Sequence, residues 1–343
     1  MFIQKATCIC AQATYGSIDL QTVQPFVERR LTAREPGYSQ IPNAVLRRMG
    51  KAVRMTVGAV TDLLEYCPVP DAIIIGTANG GMQDCIRFLN QIMEFNEGTL
   101  TPTNFVQSTP NAIAATIGLN SKNHNYNITH VHRGNAFENA MTDAQLFLNE
   151  NSHAQVLLAG VDEISDYNYN IERLGGWYKE SVPDDLYNSR TEGSLAGEGV
   201  AAYLLSNQRE GALAEIKAIE TFTSKNNDET LQWVRSFIRE HISNQNGLLF
   251  LSGNNGDERF RQTTECIESE LPLASLARFK HFTGEYPTAS AIALWLASQF
   301  IQKDFAIPAH FVASLRQSQH RQCLIYNHYK SLQHSLMLVE QVL

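Results

Sequence analysis

Short apolar runs rich in β-branched residues alternate with longer stretches of helical spacing along this chain, and the order comes round twice. In the first pass, residues 2–10 read as a strand and 43–66 as a helix. DAIIIGTA (71–78) is an apolar run closed by a turn, which suits a buried strand. Helices are expected over about 82–95 and 110–119, a strand over 127–132, a helix over 135–149 and a strand over 154–163; GVAAYLLS (199–206) closes the pass. The second pass runs strand 214–224, helix 228–242, strand 247–253, helix 256–270 and an apolar helix 288–303, and RQCLIYNHYK and SLMLVEQV supply the last strands. Strands that alternate with helices pair mainly in parallel and are covered on both faces. The repeated order predicts a duplicated α/β unit, with residues 1–210 as one half and 211–343 as a second, shorter half. The halves share no clear identity, so the repeat rests on element order.

Composition narrows the function. The chain has 343 residues, with 35 acidic and 27 basic side chains and a net charge of −8, the opposite of the basic excess of a nucleic-acid binder. Charged residues make up 18% against about 25% in ordinary globular chains, so a large share of the surface is expected to be buried in a core or a subunit interface. The most apolar stretch, Ala289 to Ile301, is interrupted by Ser290, Ser298 and Gln299 and falls short of the roughly 20 residues of a membrane span. MFIQKATCICAQ lacks the long apolar core of a signal peptide, and cytoplasm is the expected location. Cys8, Cys10, Cys67, Cys85, Cys266 and Cys323 form no CxxC pair and no zinc-like spacing, so free thiols and no metal are expected. GTANGGMQD is not a dinucleotide fingerprint, and no cofactor is expected. Basic residues at 29–30, 34, 47–48, 51 and 54 crowd the first quarter of an acidic chain. They make either a solvated helix face or a docking patch for an acidic partner.

Five segments, in order, carry a family resemblance. They are DAIIIGTANGGMQD (71–84), TPTNFVQSTPNAIAATIGL (101–119), AQVLLAGVDEIS (154–165), EGSLAGEGVAAYLLSNQREGALAEIKAI (192–219) and FKHFTGEYPTASAIALWLA (279–297). Together they resemble the β-ketoacyl synthase branch of the thiolase superfamily. The resemblance implies a thiolase-like, five-layered αβαβα fold of two similar halves, and a dimer formed across the strand at 127–132.

Family members condense acyl units through a cysteine at a helix N-terminus, where the dipole and backbone N–H groups favour the thiolate, and two histidines assist. By resemblance, Gly134 takes the cysteine's place here, and a shift of one residue gives Arg133 or Asn135. No cysteine lies between Cys85 and Cys266 in any register. Ser252 takes the place of the first histidine, with Gly253, Gly256 and Asp257 keeping its turn. Glu285 takes the place of the second, and Lys280 matches the family's lysine. The glycine-rich loop expected near the active site is replaced by NHYKSLQHS (327–335), which has no glycine. THVHRGNAFENA is similar to the degenerate ketosynthase-like proteins of aryl-polyene and flexirubin clusters, with His132, Arg133, Gly134, Phe137 and Glu138 matching.

The resemblance therefore implies a non-condensing, chain-length-factor-like subunit in fatty-acid or polyketide-type biosynthesis. Its expected partners are an acyl carrier protein and an active ketosynthase in a heterodimer, or a second copy in a homodimer. An alternative is an acyltransferase or hydrolase of acyl thioesters in which His132, Arg133, Glu138, Ser252, Lys280 and Glu285 converge. A third is a scaffold with a plugged cavity at Gly134. Against catalysis, a buried histidine is more often structural, and Ser252 has no adjacent base in sequence. Arg133 beside a helix N-terminus is electrostatically unfavourable, which predicts a carboxylate partner among Glu138, Glu163 and Glu285.

Overall fold

A computed structural model describes residues 1–26, 29–98, 100 and 102–342; Thr101 and Leu343, at the ends of two segments named above, lie outside the described residues. The first pass comprises β1 (Phe2–Ile9), β2 (Arg30–Leu31), α1 (Asn43–Leu46), α2 (Lys51–Tyr66), β3 (Ala72–Gly76), α3 (Met82–Glu94), α4 (Pro102–Gln107), α5 (Ala112–Ser121), β4 (Tyr126–His130), α6 (Ala136–Glu150), β5 (Gln155–Asp162), α7 (Asp166–Leu174), β6 (Ala196–Gly197) and β7 (Gly199–Ser206). The second comprises β8 (Ala214–Thr223), α8 (Asn227–His241), β9 (Leu248–Ser252), α9 (Arg261–Glu268), β10 (Ser275–Arg278), α10 (Lys280–Thr283), α11 (Ala289–Phe300), β11 (Val312–Ser314), β12 (Gln322–Tyr329) and β13 (Gln333–Gln341).

Strands of the first pass stand in the order β4-β3-β5-β7-β1, and those of the second in the order β10-β9-β12-β13-β8, with β11 outside β10. In each block two parallel pairings are followed by two antiparallel ones. The blocks join where Phe2 and Ile3 pair with Glu215 and Ala214.

Side-chain alternation along the strands sorts the core into three. Ile73, Ile75, Leu157 and Ala159 face α2 and α5 on one outer side. Ile74, Val156, Leu158, Leu251, Ile325 and Met337 face the central layer of α6 and α11. Leu248, Phe250, Leu324 and Leu336 face α8 and α9 on the other outer side. Helix, sheet, helix, sheet and helix follow one another, which is the thiolase-like αβαβα arrangement. α11 is buried on nearly all of its residues, as a helix that is apolar all round must be.

Some boundaries differ from expectation. The helix expected over 43–66 divides before Gly50, where an added Cβ would stand 2.0 Å from Asp84 Oδ2. The strand expected over 127–132 ends at His130, because Arg133 turns to φ 47° and opens a 3-10 turn, Arg133–Asn135. The helix expected from 256 begins at Arg261. Sequence pattern missed β10, which is only SLAR, and α7, whose apolar content is low but whose start is capped by Ser165 Oγ accepting from Asn168 N–H at 3.1 Å. No helix among the described residues is long and apolar enough to cross a membrane.

Candidate functional site

β3 and the start of α6 touch backbone to backbone. A Cβ on Gly76 would lie 2.6 Å from Ala136 O and from Phe137 Cα, so only glycine admits this approach. The turn that opens α6 is thereby fixed over the sheet, with Arg133 held in the left-handed region. A non-glycine residue there stores strain and marks a place where the surroundings dictate the backbone.

Gly134, the residue after it, is buried. A Cβ added to Gly134 would stand 2.2 Å from Tyr329 Cβ and 2.8 Å from Tyr329 Cγ. Its N–H donates to Gln333 Oε1 at 2.9 Å, and Gln333 Nε2 donates back to the carbonyl of His132 at 3.2 Å. Tyr329 and Gln333 are paired across the β12–β13 hairpin. Its turn places Lys330 at φ 57° and Ser331 at φ 47° without a glycine. Lys330 Nζ is anchored to Glu172 at 2.6 Å and lies 4.5 Å above the Trp177 ring. The NHYKSLQHS segment thus reaches the opening of α6 and fills it.

Behind this opening lie Lys280, Glu285 and Glu138. Lys280 is wholly buried, and its Nζ is 3.0 Å from Glu285 Oε1. Asn255 Nδ2 donates to Glu285 Oε2 at 3.0 Å. Burial pushes the Glu285 carboxyl above its ordinary range, against the pull of Lys280 and Asn255. Glu138, in the first turn of α6, accepts from Ser335 Oγ at 2.8 Å. Its carboxyl is also raised by burial, opposed by the Ser290 and Ser335 hydroxyls and by the charge of Lys280.

Ser252 ends β9 and is fully buried; its Oγ accepts from Asn254 N–H at 3.2 Å. Asn254 Oδ1 and Asn255 Oδ1 then accept the N–H groups of Gly256 and Asp257 at 3.0 and 3.1 Å. Ser252 is thus part of a turn whose next residue but two, Asn255, touches Glu285.

His132 and Arg133 do not join this group. Both are exposed, and His132 Nδ1 pairs with Asn139 Nδ2 at 3.0 Å. Arg133 has no ion pair among the described residues, which corrects the expected carboxylate partner. Glu138 is held by Ser335, Glu285 by Lys280, and Glu163 accepts the N–H groups of Ala52 and Gln83 at 3.1 and 3.3 Å.

Sequence reasoning missed Tyr329, Gln333, Asn255 and Asp162. The lost glycines of 327–335 signalled a changed wall but not what fills it. Asp162 is buried and takes Thr77 Oγ1, Ala78 N–H and Asn79 N–H on one oxygen, and Thr288 N–H and Oγ1 on the other, at 2.6 to 3.2 Å. Burial nonetheless moves its carboxyl up to about 6.

The cysteines sit elsewhere: Cys8 in β1 and Cys10 just after it, Cys67 after α2, Cys85 in α3, Cys266 in α9 and Cys323 in β12. Cys323 lies six residues along β12 from Tyr329, about 20 Å of extended strand. Glu220, Glu240 and His241 bring three ligand atoms within 4.8 Å of one another on β8 and α8, apart from these residues. Four of the seven residues of the basic cluster are engaged in ion pairs. Arg29 pairs with Glu180 at 3.8 Å, Arg30 with Asp166 at 2.7 Å, Lys51 with Glu198, and Arg54 forks onto Glu35 at 2.6 Å. Arg34, Arg47 and Arg48 are exposed and without ion pairs among the described residues.

The family model of the β-ketoacyl synthase N-terminal domain matches residues 20–245. The chain belongs to the β-ketoacyl synthase family. Its fold is also that of solved β-ketoacyl synthases. A β-ketoacyl synthase from Burkholderia phymatum is similar over 100% of this chain and 99% of its own, with a TM-score of 0.75 and 13% identity. The ishigamide ketosynthase/chain length factor is similar over 99% and 98%, with a TM-score of 0.76 and 13% identity. A ketosynthase solved in complex with its chain length factor from Xenorhabdus doucetiae is similar over 99% and 97%, with a TM-score of 0.73 and 12% identity. No curated protein sequence matches the chain.

Proposed function

We propose that this β-ketoacyl synthase relative does not condense acyl units and serves as the chain-length-factor-like subunit of a fatty-acid or polyketide-type synthase. In this reading Gly134 stands where the family has its cysteine, Ser252 and Glu285 stand for its histidines, and Lys280 is its lysine. The observation that carries the reading is the fit of Tyr329 against Gly134, where a Cβ would meet Tyr329 Cβ at 2.2 Å. No nucleophile-bearing side chain fits there, in this register, without moving the hairpin. The N–H that would stabilise an oxyanion is used by Gln333.

The partners follow from the same reading. The similar solved structures include a ketosynthase with its chain length factor and an acyl carrier protein in complex with its ketosynthase. β4 is the outermost strand of its block and the edge at which a ketosynthase, or a second copy, would pair. Arg34, Arg47 and Arg48 are the charges left for an acidic carrier protein. The protein would act in the cytoplasm, with residues 1–210 and 211–343 as its two halves.

The competing reading, an acyltransferase or hydrolase without cysteine, draws on the buried Lys280–Glu285 pair beside Glu138. Intact-mass analysis separates the two. The isolated chain is incubated with acyl-carrier-protein thioesters, and the chain co-expressed with a ketosynthase is purified. We expect no covalent acyl mass, no thioester turnover and a one-to-one heterodimer; an acylated or hydrolysing isolated chain would overturn the proposal.

A further inference from the structure

Three Asn-Gly dipeptides occur in the chain, at Asn79–Gly80, Asn246–Gly247 and Asn255–Gly256. Such a pair carries a reaction of its own. The glycine amide nitrogen can reach the asparagine side-chain carbonyl carbon, because no Cβ on the glycine stands in the way. Sequence makes the three pairs equivalent, and the fold makes them different.

Two of the pairs are locked. Gly80 N–H donates to Thr77 Oγ1 at 2.9 Å, Asn79 Oδ1 accepts from Asn168 Nδ2 at 3.3 Å, and Asn79 N–H donates to Asp162 at 2.6 Å. Gly256 N–H donates to Asn254 Oδ1 at 3.0 Å. Buried Asn255 uses both ends of its carboxamide, accepting from Asp257 N–H at 3.1 Å and donating to Glu285 at 3.0 Å. Both glycines are also tightly packed: a Cβ on Gly80 would lie 2.7 Å from Thr77 Oγ1, and one on Gly256 2.4 Å from the carbonyl oxygen of Leu186. Asn246–Gly247, in the turn between α8 and β9, lacks these restraints. Asn246 is exposed, and neither its carboxamide nor the Gly247 N–H has a hydrogen bond among the described residues. A Cβ on Gly247 would meet only Arg321 N, at 3.9 Å. The turn is closed by Leu248 N–H on the carbonyl of Gln245 at 3.1 Å, and local opening of an exposed turn costs little free energy.

We propose that Asn246 is a site of spontaneous deamidation, with water as co-reactant, and that hydrogen bonds hold the other two pairs inert. The Gly247 nitrogen gives up its proton and bonds to Asn246 Cγ. The Cγ–Nδ2 bond breaks, and ammonia leaves with that proton. Water then opens the cyclic imide at either carbonyl. Opening at Cγ gives aspartate, and opening at the main-chain carbonyl gives isoaspartate, in which the backbone runs through the side chain. One water enters and one ammonia leaves, and nothing is oxidised or reduced. Either product adds a negative charge to the turn ahead of β9. At Asn255 the same change would set a second carboxylate against Glu285, so the locked turn also protects that buried group. The inference is independent of the role proposed at Gly134.

Ageing the full-length chain in mildly alkaline oxygen-18 water, folded and in urea, tests it, with peptide mapping by mass spectrometry to read label uptake at each asparagine. In urea all three pairs should react, which shows that each dipeptide is competent. In the folded chain label should enter at Asn246, and at least about tenfold more slowly at Asn79 and Asn255, where a buried hydrogen bond must break first. Asn246→Gln changes an exposed side chain and should remove the product while the other two pairs behave as before. Labelling of folded Asn79 or Asn255 as fast as Asn246, or protection of Asn246 equal to theirs, would sink the proposal.

Discussion

Tyr329 and Gln333 face each other across the β12–β13 hairpin and close on the same residue, one taking the space above Gly134 and the other its N–H. The atom nearest to a Gly134 side chain is Tyr329 Cβ, which is tied to the β12 backbone. A rotamer change of the ring therefore does not reopen the position.

Gly134→Cys should destabilise the fold by overpacking, by about 1–3 kcal/mol, and should gain no acyl transfer. Adding Tyr329→Gly should recover much of the loss of Gly134→Cys, because the two sites share one volume. Thermal unfolding of both single variants and the double variant measures the coupling; strictly additive losses would contradict the packing argument.

Gln333→Leu removes one side chain and strands the buried Gly134 N–H, while the His132 carbonyl, on an exposed residue, also loses its partner. The expected cost is about 1–3 kcal/mol, set by the buried Gly134 N–H left without a partner. Amide hydrogen exchange at Gly134 should quicken selectively. Protection equal to the parent would show that the carboxamide is not what holds this amide.

Lys280→Met leaves Glu285 buried without its counter-charge, and breaking such a pair costs about 3–5 kcal/mol. Lys280→Met with Glu285→Leu should be more stable than Lys280→Met alone. Chemical denaturation of the two variants decides this by their order.

Glu163 gives a pH dependence of known sign. Burial moves its carboxyl from 4.5 up to about 7, against the N–H groups of Gln83 and Ala52 and with help from the charges of Asp84 and Glu198. The folded chain thus holds this proton more tightly than the unfolded one, so stability falls as pH rises from about 4.5 to about 7 and levels off above. In Glu163→Gln the decline over that interval should flatten. Denaturation midpoints across the interval measure it, and an unchanged slope would assign the effect to other groups.

Reversing Arg34, Arg47 and Arg48 to glutamate should slow association with an acyl carrier protein by about tenfold or more at low salt, with the difference shrinking as salt rises. Arg54→Glu should instead lower stability, since Arg54 is locked to Glu35. Stopped-flow association and thermal unfolding read the two outcomes. Equal association rates for the triple variant and the parent would move the docking surface elsewhere.

What the sequence reveals depends on whether a feature is periodic or a product of tertiary contact. The doubled strand order is written in runs such as DAIIIGTA and GLLFLSG, because burial on both faces demands continuous apolar residues. The lack of any cysteine between Cys85 and Cys266 is equally readable, since it needs no alignment. β10 was not, because SLAR is too short to show a period. The partner expected for Arg133 was wrong because charge near a helix N-terminus demands a counter-ion only if the side chain is buried, and Arg133 is exposed, where water screens it. Tyr329 and Gln333 lie far along the chain from Gly134, and no local pattern announces a contact made through folding alone.

The opening of α6, in the first pass, is filled by Tyr329 and Gln333 from the second. Restoring a thiol at Gly134 alone would place it against a filled wall, and clearing Tyr329 alone would open a hole with nothing reactive in it. Neither single substitution yields a roomy, reactive opening by itself, so on the proposed reading a return to acyl transfer needs both changes together. Two residues far apart in the chain would then have to change in concert, which makes the filled opening of α6 self-locking.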